Sequence, residues 1–462
     1  VLRFDTQQVT WLTGMAVTST EARNALTALG FEVEAETDDR YLHVTIPSWR
    51  ADVVESADLV EEIARILGYE RIPSTIPTGP LPEPLRESWF ERESYLRDVL
   101  VGAGLTEIIT YALISRTSMA SLLVDAAPGA ERLLTAAASV PEPDADVAAS
   151  ASPRPRGRTD QRREIEAAAE RLPAIVLRNP LSSEQEALRL TLMPGLLNTL
   201  RENGKYGEAG LWFFELGRRY LSTPEMEAGT GLAQERRTLG VALMGPHARV
   251  WNDAERPADF YDLKGVADTV LRALKISAYR YVPVRHPSFH PGRCAALELA
   301  VAAPVDAAPA SDRAVAESSW WVRAGVLGEV HPEVAQRWDL PQRAYLMELD
   351  LSRVFSVVPE RVVYQPLSRF PSVERDLAVV VDQSTPEIEV RQAIRAAGGD
   401  LVRQVRLFDV YTGETIAQDK KSLAYSLTYQ SSDRTLTDKE VDAVQARILD
   451  ALRKSVGATL RT

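Results

Sequence analysis

The chain has 462 residues, 45% hydrophobic and 26% charged, with a net charge of −12, which describes a globular protein long enough for two to four domains. No uninterrupted apolar run reaches membrane-spanning length. Cys294 is the one cysteine, excluding an intramolecular disulfide framework and a multi-thiolate zinc site, and the overall acidity argues against a protein that coats nucleic acid through bulk positive potential.

Charge is unevenly spread. Residues 1–75 hold 6 Lys and Arg against 13 Asp and Glu, whereas residues 364–462 hold 14 of each, so RNA contact is expected in the latter. No secretory leader is visible, and because the chain begins at Val1 rather than Met it reads as a fragment.

Residues 1–75 read as a small mixed domain. A strand is predicted near Val1–Phe4, a helix from Thr20 to Leu29 capped by Ser19 or Thr20 and stopped by Gly30, a strand restart at Gly30–Val33, and a strand at Tyr41–Ile46. Over Asp58–Leu67 the apolar residues Leu59, Val60, Ile63, Ala64, Ile66 and Leu67 then recur at helical spacing, with Gly68 as the stop.

On that helix Asp58, Glu61, Glu62 and Arg65 form one polar stripe, and Asp52 lies just upstream. Four hard oxygen donors suit Mg²⁺. The same spacing also describes a solvated face with a Glu61 to Arg65 pair.

The full string, Pro47-Ser48-Trp49-Arg50-Ala51-Asp52 followed by Asp58-Leu59-Val60-Glu61-Glu62-Ile63-Ala64-Arg65-Ile66-Leu67-Gly68-Tyr69, resembles a signature of the beta subunit of bacterial phenylalanyl-tRNA synthetases. The resemblance implies that Asp52, Asp58, Glu61 and Glu62 are Mg²⁺ ligands, structural or inter-subunit in role.

Prolines 73, 77, 80, 82 and 84 predict an extended connector. A second domain over 86–357 opens with an amphipathic helix, Ser88–Val101, and a strand-like run, Glu107–Leu113. Residues 120–172, rich in Ala, Pro, Asp and Arg, read as a flexible insertion with one helix at its end. Order returns at Ile175–Ser182, with a helix at Leu192–Asn203, strands at Leu211–Gly217 and Thr238–Met244, a helix opened by Asp259–Gly265 and running to Leu274, and a strand then turn at Gly325–Pro332. These runs resemble the same family's second domain, which implies a class II synthetase-like antiparallel fold without catalytic residues of its own.

Two runs invite misreading. Gly229-Thr230-Gly231-Leu232-Ala233-Gln234-Glu235-Arg236 looks like an ATP-holding Gly-rich motif, but leads into a strand rather than a helix. His286, His290 and Cys294 have helical zinc spacing, which Pro287, Pro291 and Gly292 oppose.

Residues 366–462 read as β-α-β-β-α-β, a ferredoxin-like order: a strand at Arg375–Asp382, a helix begun at Thr385-Pro386-Glu387, strands at Leu401–Tyr411 and Ser422–Gln430, a capping box at Thr437–Glu440 opening a long helix, and a short strand near Ala458–Arg461. Phe370–Leu377, Phe408–Tyr411 and Ser431–Thr437 resemble the synthetase's ferredoxin-fold anticodon-binding domain, which makes Arg369, Arg375, Arg406, Lys420, Lys421 and Arg434 candidate phosphate contacts. Tyr411, Tyr425 and Tyr429 are equally well read as stacking or core residues.

The fold class is therefore α+β multidomain. The resemblance implies a subunit of a cytoplasmic phenylalanine–tRNA ligase, inactive alone, acting with an alpha subunit in an alpha2-beta2 heterotetramer on tRNA(Phe), with Mg²⁺ on this chain and ATP bound mainly by alpha. It further implies that an OB-fold tRNA-binding domain and an editing domain normally precede this region, and neither is found in the sequence. The rival readings are a non-catalytic RNA-binding or regulatory paralogue and an oligomerisation scaffold.

Overall fold

The computed structural model describes residues 1–76, 79, 88–124, 134, 158–207, 210–247, 256–302, 319–362, 364, 367–413 and 416–461. The chain divides into two compact units, Val1–Ser88 and Trp89–Thr462.

In the first unit β1 (Leu2–Asp5), β2 (Glu32–Ala35) and β3 (Tyr41–Thr45) form an antiparallel sheet ordered β1-β3-β2. Against it pack α1 (Gln7–Thr13), α2 (Ser19–Ala28) and α3 (Ser56–Leu67), around Phe4, Leu26, Phe31, Leu42, Val44, Leu59 and Ile63. The cap of α2 is Thr18, one residue earlier than expected, closing a capping box with Glu21. α1 was not foreseen; its first amide is held by the Asp5 carboxylate, with Gln7 N donating at 3.0 Å.

The second unit opens with α4 (Ser88–Gly102), β4 (Thr106–Glu107), β5 (Leu113–Ile114) and α5 (Arg116–Ala120). The expected strand Glu107–Leu113 survives only at its two ends, since Ile109 and Tyr111 between them are exposed. α6 (Arg158–Arg171) is the helix expected at the end of the insertion. The insertion's margins are packed, with Leu122, Leu123, Leu134, Ala168, Ala169 and Leu172 all in the core. The rest of the insertion expected to be flexible over 120–172, residues 125–133 and 135–157, lies outside the described residues.

Then follow β6 (Ala187–Leu188), α7 (Met193–Gly204), β7 (Leu211–Leu221), α8 (Pro224–Glu227), β8 (Gln234–Met244), α9 (Phe260–Ala273), β9 (Tyr279–Pro283), β10 (Phe289–Ala302), β11 (Ser319–Val330), α10 (Pro332–Arg337), β12 (Ala344–Asp350) and α11 (Leu351–Ser356). A seven-stranded sheet runs β4-β7-β8-β12-β11-β10-β9, antiparallel except where β4 joins β7. β12 is buried along its whole length, as a central strand covered on both faces must be. One face packs on α5, α6 and α7 through Met119, Leu196, Phe213, Ala242 and Leu346. The other packs on α4, α9 and α11 through Leu96, Val266, Leu243, Met347 and Val354.

The last segment comprises β13 (Val373–Asp382), α12 (Glu387–Gly398), β14 (Val402–Tyr411), β15 (Lys420–Tyr429), α13 (Asp438–Val456) and β16 (Thr459–Leu460), with the sheet ordered β14-β15-β13-β16. This is the ferredoxin-like arrangement the element order implied. Leu377, Val379, Val381, Leu423 and Leu427 form one core with Val390, Ile394, Val444, Ile448 and Leu452 of the two helices. Thr437 and Glu440 close the expected capping box.

Candidate functional site

Three places carry the charged side chains that sequence reasoning singled out or that the fold buries. The first is the entry to α3. Asp58 Oδ2 accepts from the amides of Val54 and Glu55, both at 2.8 Å, which anchors the start of the helix and holds the carboxyl below the usual range. Glu62 is buried and faces two guanidiniums, Arg50 Nη1 at 3.0 Å and Arg65 Nη2 at 2.6 Å. Arg50 also grips Asp52, with Nη2 at 2.6 Å from Oδ2 and Nε at 3.0 Å from Oδ1.

One guanidinium therefore neutralises two of the four acids, lowering both carboxyls and raising its own proton affinity. Glu61 points outward and is exposed. Among the described residues no group of three or more His, Cys, Asp or Glu is disposed to hold a metal ion. As folded, the cluster already contains its cation, and the four carboxylates do not fit Mg²⁺ unless Arg50 withdraws.

The second place is the face of the seven-stranded sheet under α7. Gly217 on β7 and Gly240 on β8 leave room there: a Cβ on Gly217 would lie 2.6 Å from Arg189 Nη2 and 3.0 Å from Leu192 Cδ2, and one on Gly240 would lie 2.8 Å from Leu196 Cδ1. Into that room comes Arg189, donating to Glu215 Oε1 at 2.7 Å, to the Thr110 hydroxyl at 2.9 Å and to the Arg218 carbonyl at 2.7 Å. Thr110 donates in turn to Glu215 Oε2 at 2.7 Å.

Beside it Glu348 is buried and accepts from the Thr191 hydroxyl and, at 3.1 Å, from the Leu192 amide, while burial pushes its carboxyl up. Arg219, 2% exposed, pairs with Asp350 at 3.2 Å and stands 3.9 Å from Glu348. Most of these polar groups engage one another, so among the described residues the middle of the face is a packed polar core that presents no nucleophile or base to solvent. None of these residues had been proposed from the sequence. Buried Arg and Glu on strands leave no periodic signal beyond their unexpected place in an apolar run.

The misleading motifs resolve simply. Gly229–Leu232 are exposed in the connection between β7 and β8. His290 and Cys294 lie on β10; the Cys294 thiol is pushed up to about 12 by burial, and His286 is buried against Phe289.

The third place is the C-terminal sheet. Strand register puts Arg406 and Lys420 on the face away from the helices, beside Tyr411, whose ring lies 4.9 Å from the Arg461 guanidinium. Arg375 and Lys421 share the helix-side parity of Leu377 and Leu423. Arg375 pairs with Asp438 at 2.8 Å, Lys420 with Asp382 at 2.5 Å and Arg434 with Glu440 at 2.5 Å, while Lys421 donates to the Gln383 carbonyl at 3.0 Å. Arg369 and Arg406 are exposed with no ion pair among the described residues. The six basic residues thus do not share one surface. Tyr425 and Tyr429 are fully buried, and so are core residues.

Three family models match the chain: the tRNA synthetase B5 domain over residues 2–69, the phenylalanyl tRNA synthetase beta chain CLM domain over 72–351, and the ferredoxin-fold anticodon binding domain over 368–461. The chain belongs to the phenylalanyl-tRNA synthetase beta chain family. Among its relatives, the phenylalanine–tRNA ligase beta subunit of Symbiobacterium thermophilum is 36% identical over 425 residues, covering 92% of this chain and 40% of the relative. That of Moorella thermoacetica is 35% identical over 457 residues, covering 98% and 48%. The chain therefore spans about half the length of the curated relatives it matches. A pyrrolysyl-tRNA synthetase structure from Desulfitobacterium hafniense aligns over 73% of this chain and 86% of its own at 13% identity with a TM-score of 0.35, too slight to carry an argument. Among the described residues no helix is long and apolar enough to cross a membrane.

Proposed function

We propose that this chain is the part of a phenylalanine–tRNA ligase beta subunit that scaffolds the enzyme and meets tRNA, while amino-acid activation takes place on a separate alpha subunit. The observation that carries the reading is the family's synthetase-like sheet with its central face filled from within by Arg189, Leu192 and Leu196. A sheet so occupied has no room for two substrates, so chemistry belongs to a partner.

On this reading residues 1–75, 86–357 and 366–462 are three domains, the assembly is an alpha2-beta2 heterotetramer in the cytoplasm, and ATP and phenylalanine bind alpha. Contact with tRNA(Phe) falls to the last domain, where Arg406, Lys420 and Arg461 line the helix-free sheet face, with Arg369, Arg375, Lys421 and Arg434 as further phosphate contacts. Mg²⁺ at Asp52, Asp58, Glu61 and Glu62 requires Arg50 to leave Asp52 and Glu62, so no step of the reading runs through it.

The test is to co-purify this chain with the alpha subunit of the same genome and measure charging of tRNA with phenylalanine, with alpha alone as control. A complex that forms and charges only when both chains are present supports the reading. Absence of any complex refutes it.

A further inference from the structure

The signature over residues 47–69 implies Mg²⁺ on Asp52, Asp58, Glu61 and Glu62, yet the folded chain has already engaged most of the oxygens such an ion would take. Glu62, whose side chain is 9% exposed, is met at both oxygens: Oε1 lies 3.0 Å from Arg50 Nη2, while Oε2 accepts from Arg50 Nη1 at 3.0 Å and from Arg65 Nη2 at 2.6 Å. Asp52 is met at both as well, Oδ2 at 2.6 Å from Arg50 Nη2 and Oδ1 at 3.0 Å from Arg50 Nε. Asp58 Oδ2 holds the Val54 and Glu55 amides and so is committed to the start of α3.

The backbone is shaped to deliver Arg50 to this place. Its amide donates to the Pro47 carbonyl at 3.0 Å and its carbonyl accepts from the Val53 amide at 3.3 Å, so the chain turns on both sides of it. The guanidinium then lies over the ring of Phe31, 5.5 Å from its centroid, and Phe31 is itself 2% exposed in the core of the first unit. One side chain thus ties the loop before α3, α3 itself and the residue that leads into β2.

A guanidinium suits that task. It is planar, weakly hydrated, matches carboxylates with paired donors and stacks on aromatic rings. Mg²⁺ demands near-octahedral oxygens at about 2.0–2.1 Å and keeps several waters. To take Asp52 and Glu62 it would have to break the contacts of Arg50 with both, and would leave that guanidinium beside Phe31 without a counter-charge.

We propose that Arg50 is the structural cation of the first unit, standing where the signature implies a divalent ion, so that no metal is needed to hold residues 47–55 onto α3. The inference goes beyond the ligase reading and concerns this chain without any alpha subunit.

The experiment is hydrogen exchange of the 462-residue chain, stripped of metal with EDTA and, separately, in excess MgCl₂, read at the amides of Val53, Val54, Glu55 and Ile63. Protection in the parent is expected to agree between the two solutions to within about twofold. Arg50→Gln should lower it roughly tenfold or more in EDTA, as loss of hydrogen bonds to a buried carboxylate implies. Arg50→Lys, which keeps the charge and loses the fork, should fall between the two. Where circular dichroism shows Arg50→Gln unfolded, Arg50→Lys and the parent comparison decide. Parent protection that rises severalfold with Mg²⁺, or a folded Arg50→Gln chain as protected in EDTA as the parent, overturns the proposal.

Discussion

Replacing Arg189 by methionine isolates the energetics of the filled sheet face. The Arg189 and Glu215 side chains are 6% and 2% exposed and 2.7 Å apart. Methionine keeps most of the volume of the arginine stem, so the cavity contribution is small and the loss is electrostatic. Glu215 would be left buried with the Thr110 hydroxyl as its partner. An unpaired buried charge of this kind costs about 3–5 kcal/mol. Replacing both residues, Arg189→Met with Glu215→Leu, removes the orphaned charge and should recover most of that loss.

Because the chain has two compact units, a single unfolding midpoint would mix them. The readout is therefore hydrogen exchange at the β7 amides from Phe213 to Gly217, in the ladder with β8, which reports the stability of the sheet itself. Arg189→Met should lower their protection by about two to four orders of magnitude on that roughly 3–5 kcal/mol loss, with protection largely restored in the double variant. A single variant as protected as the parent, or a double variant as unprotected as the sum of the two singles, would refute the pairing argument.

Other expectations follow from the same geometry. With Arg50→Gln, Asp52 and Glu62 lose their shared cation, and calorimetry should find Mg²⁺ binding markedly tighter than in the parent chain; equal affinity would show that Arg50 is not what keeps the ion out. Glu440 is held at about 2 by the Thr437 amide and hydroxyl and then by Arg434. A carboxyl depressed from 4.5 contributes its capping at pH above about 4.5 and loses it as pH falls toward about 2. Carboxyl NMR titration should therefore show Thr437→Val moving Glu440 back up, and no movement would remove the hydroxyl from the account. In filter binding, Arg406→Ala should weaken tRNA binding and reduce the log–log salt slope by about 1, whereas Arg375→Ala should change the slope little because Asp438 already engages that guanidinium; the reverse order would overturn the assignment of faces.

The parts of the fold with a periodic signal were legible. α3 could be read because Leu59, Ile63 and Ile66 recur at helical spacing before Gly68, and the last domain because capping and turn residues separate its strands. α1 escaped because Trp11 and Leu12 stay exposed, which leaves no core-facing stripe to read. The run Glu107–Leu113 was overread because β-prone residues such as Ile109 and Tyr111 resemble a strand even where the chain loops through solvent.

In the carboxylate cluster the residue types were legible and the partner was not. Arg50 was in the motif, but nothing in its spacing says that a turn at Pro47–Arg50 swings it onto Asp52 and Glu62. Sequence spacing reports which side chains share an element. It does not report which cation from another element arrives first, and that arrival decides whether clustered acids await a metal.

The same logic separates the two ends of the large sheet. Where the chain sends a complementary group, as Arg189 to Glu215 and Arg219 to Asp350, burial produces a closed network whose worth is structural. Where it sends a cation without an acid, as at half-buried Arg236 on β8, the guanidinium stays unpaired among the described residues.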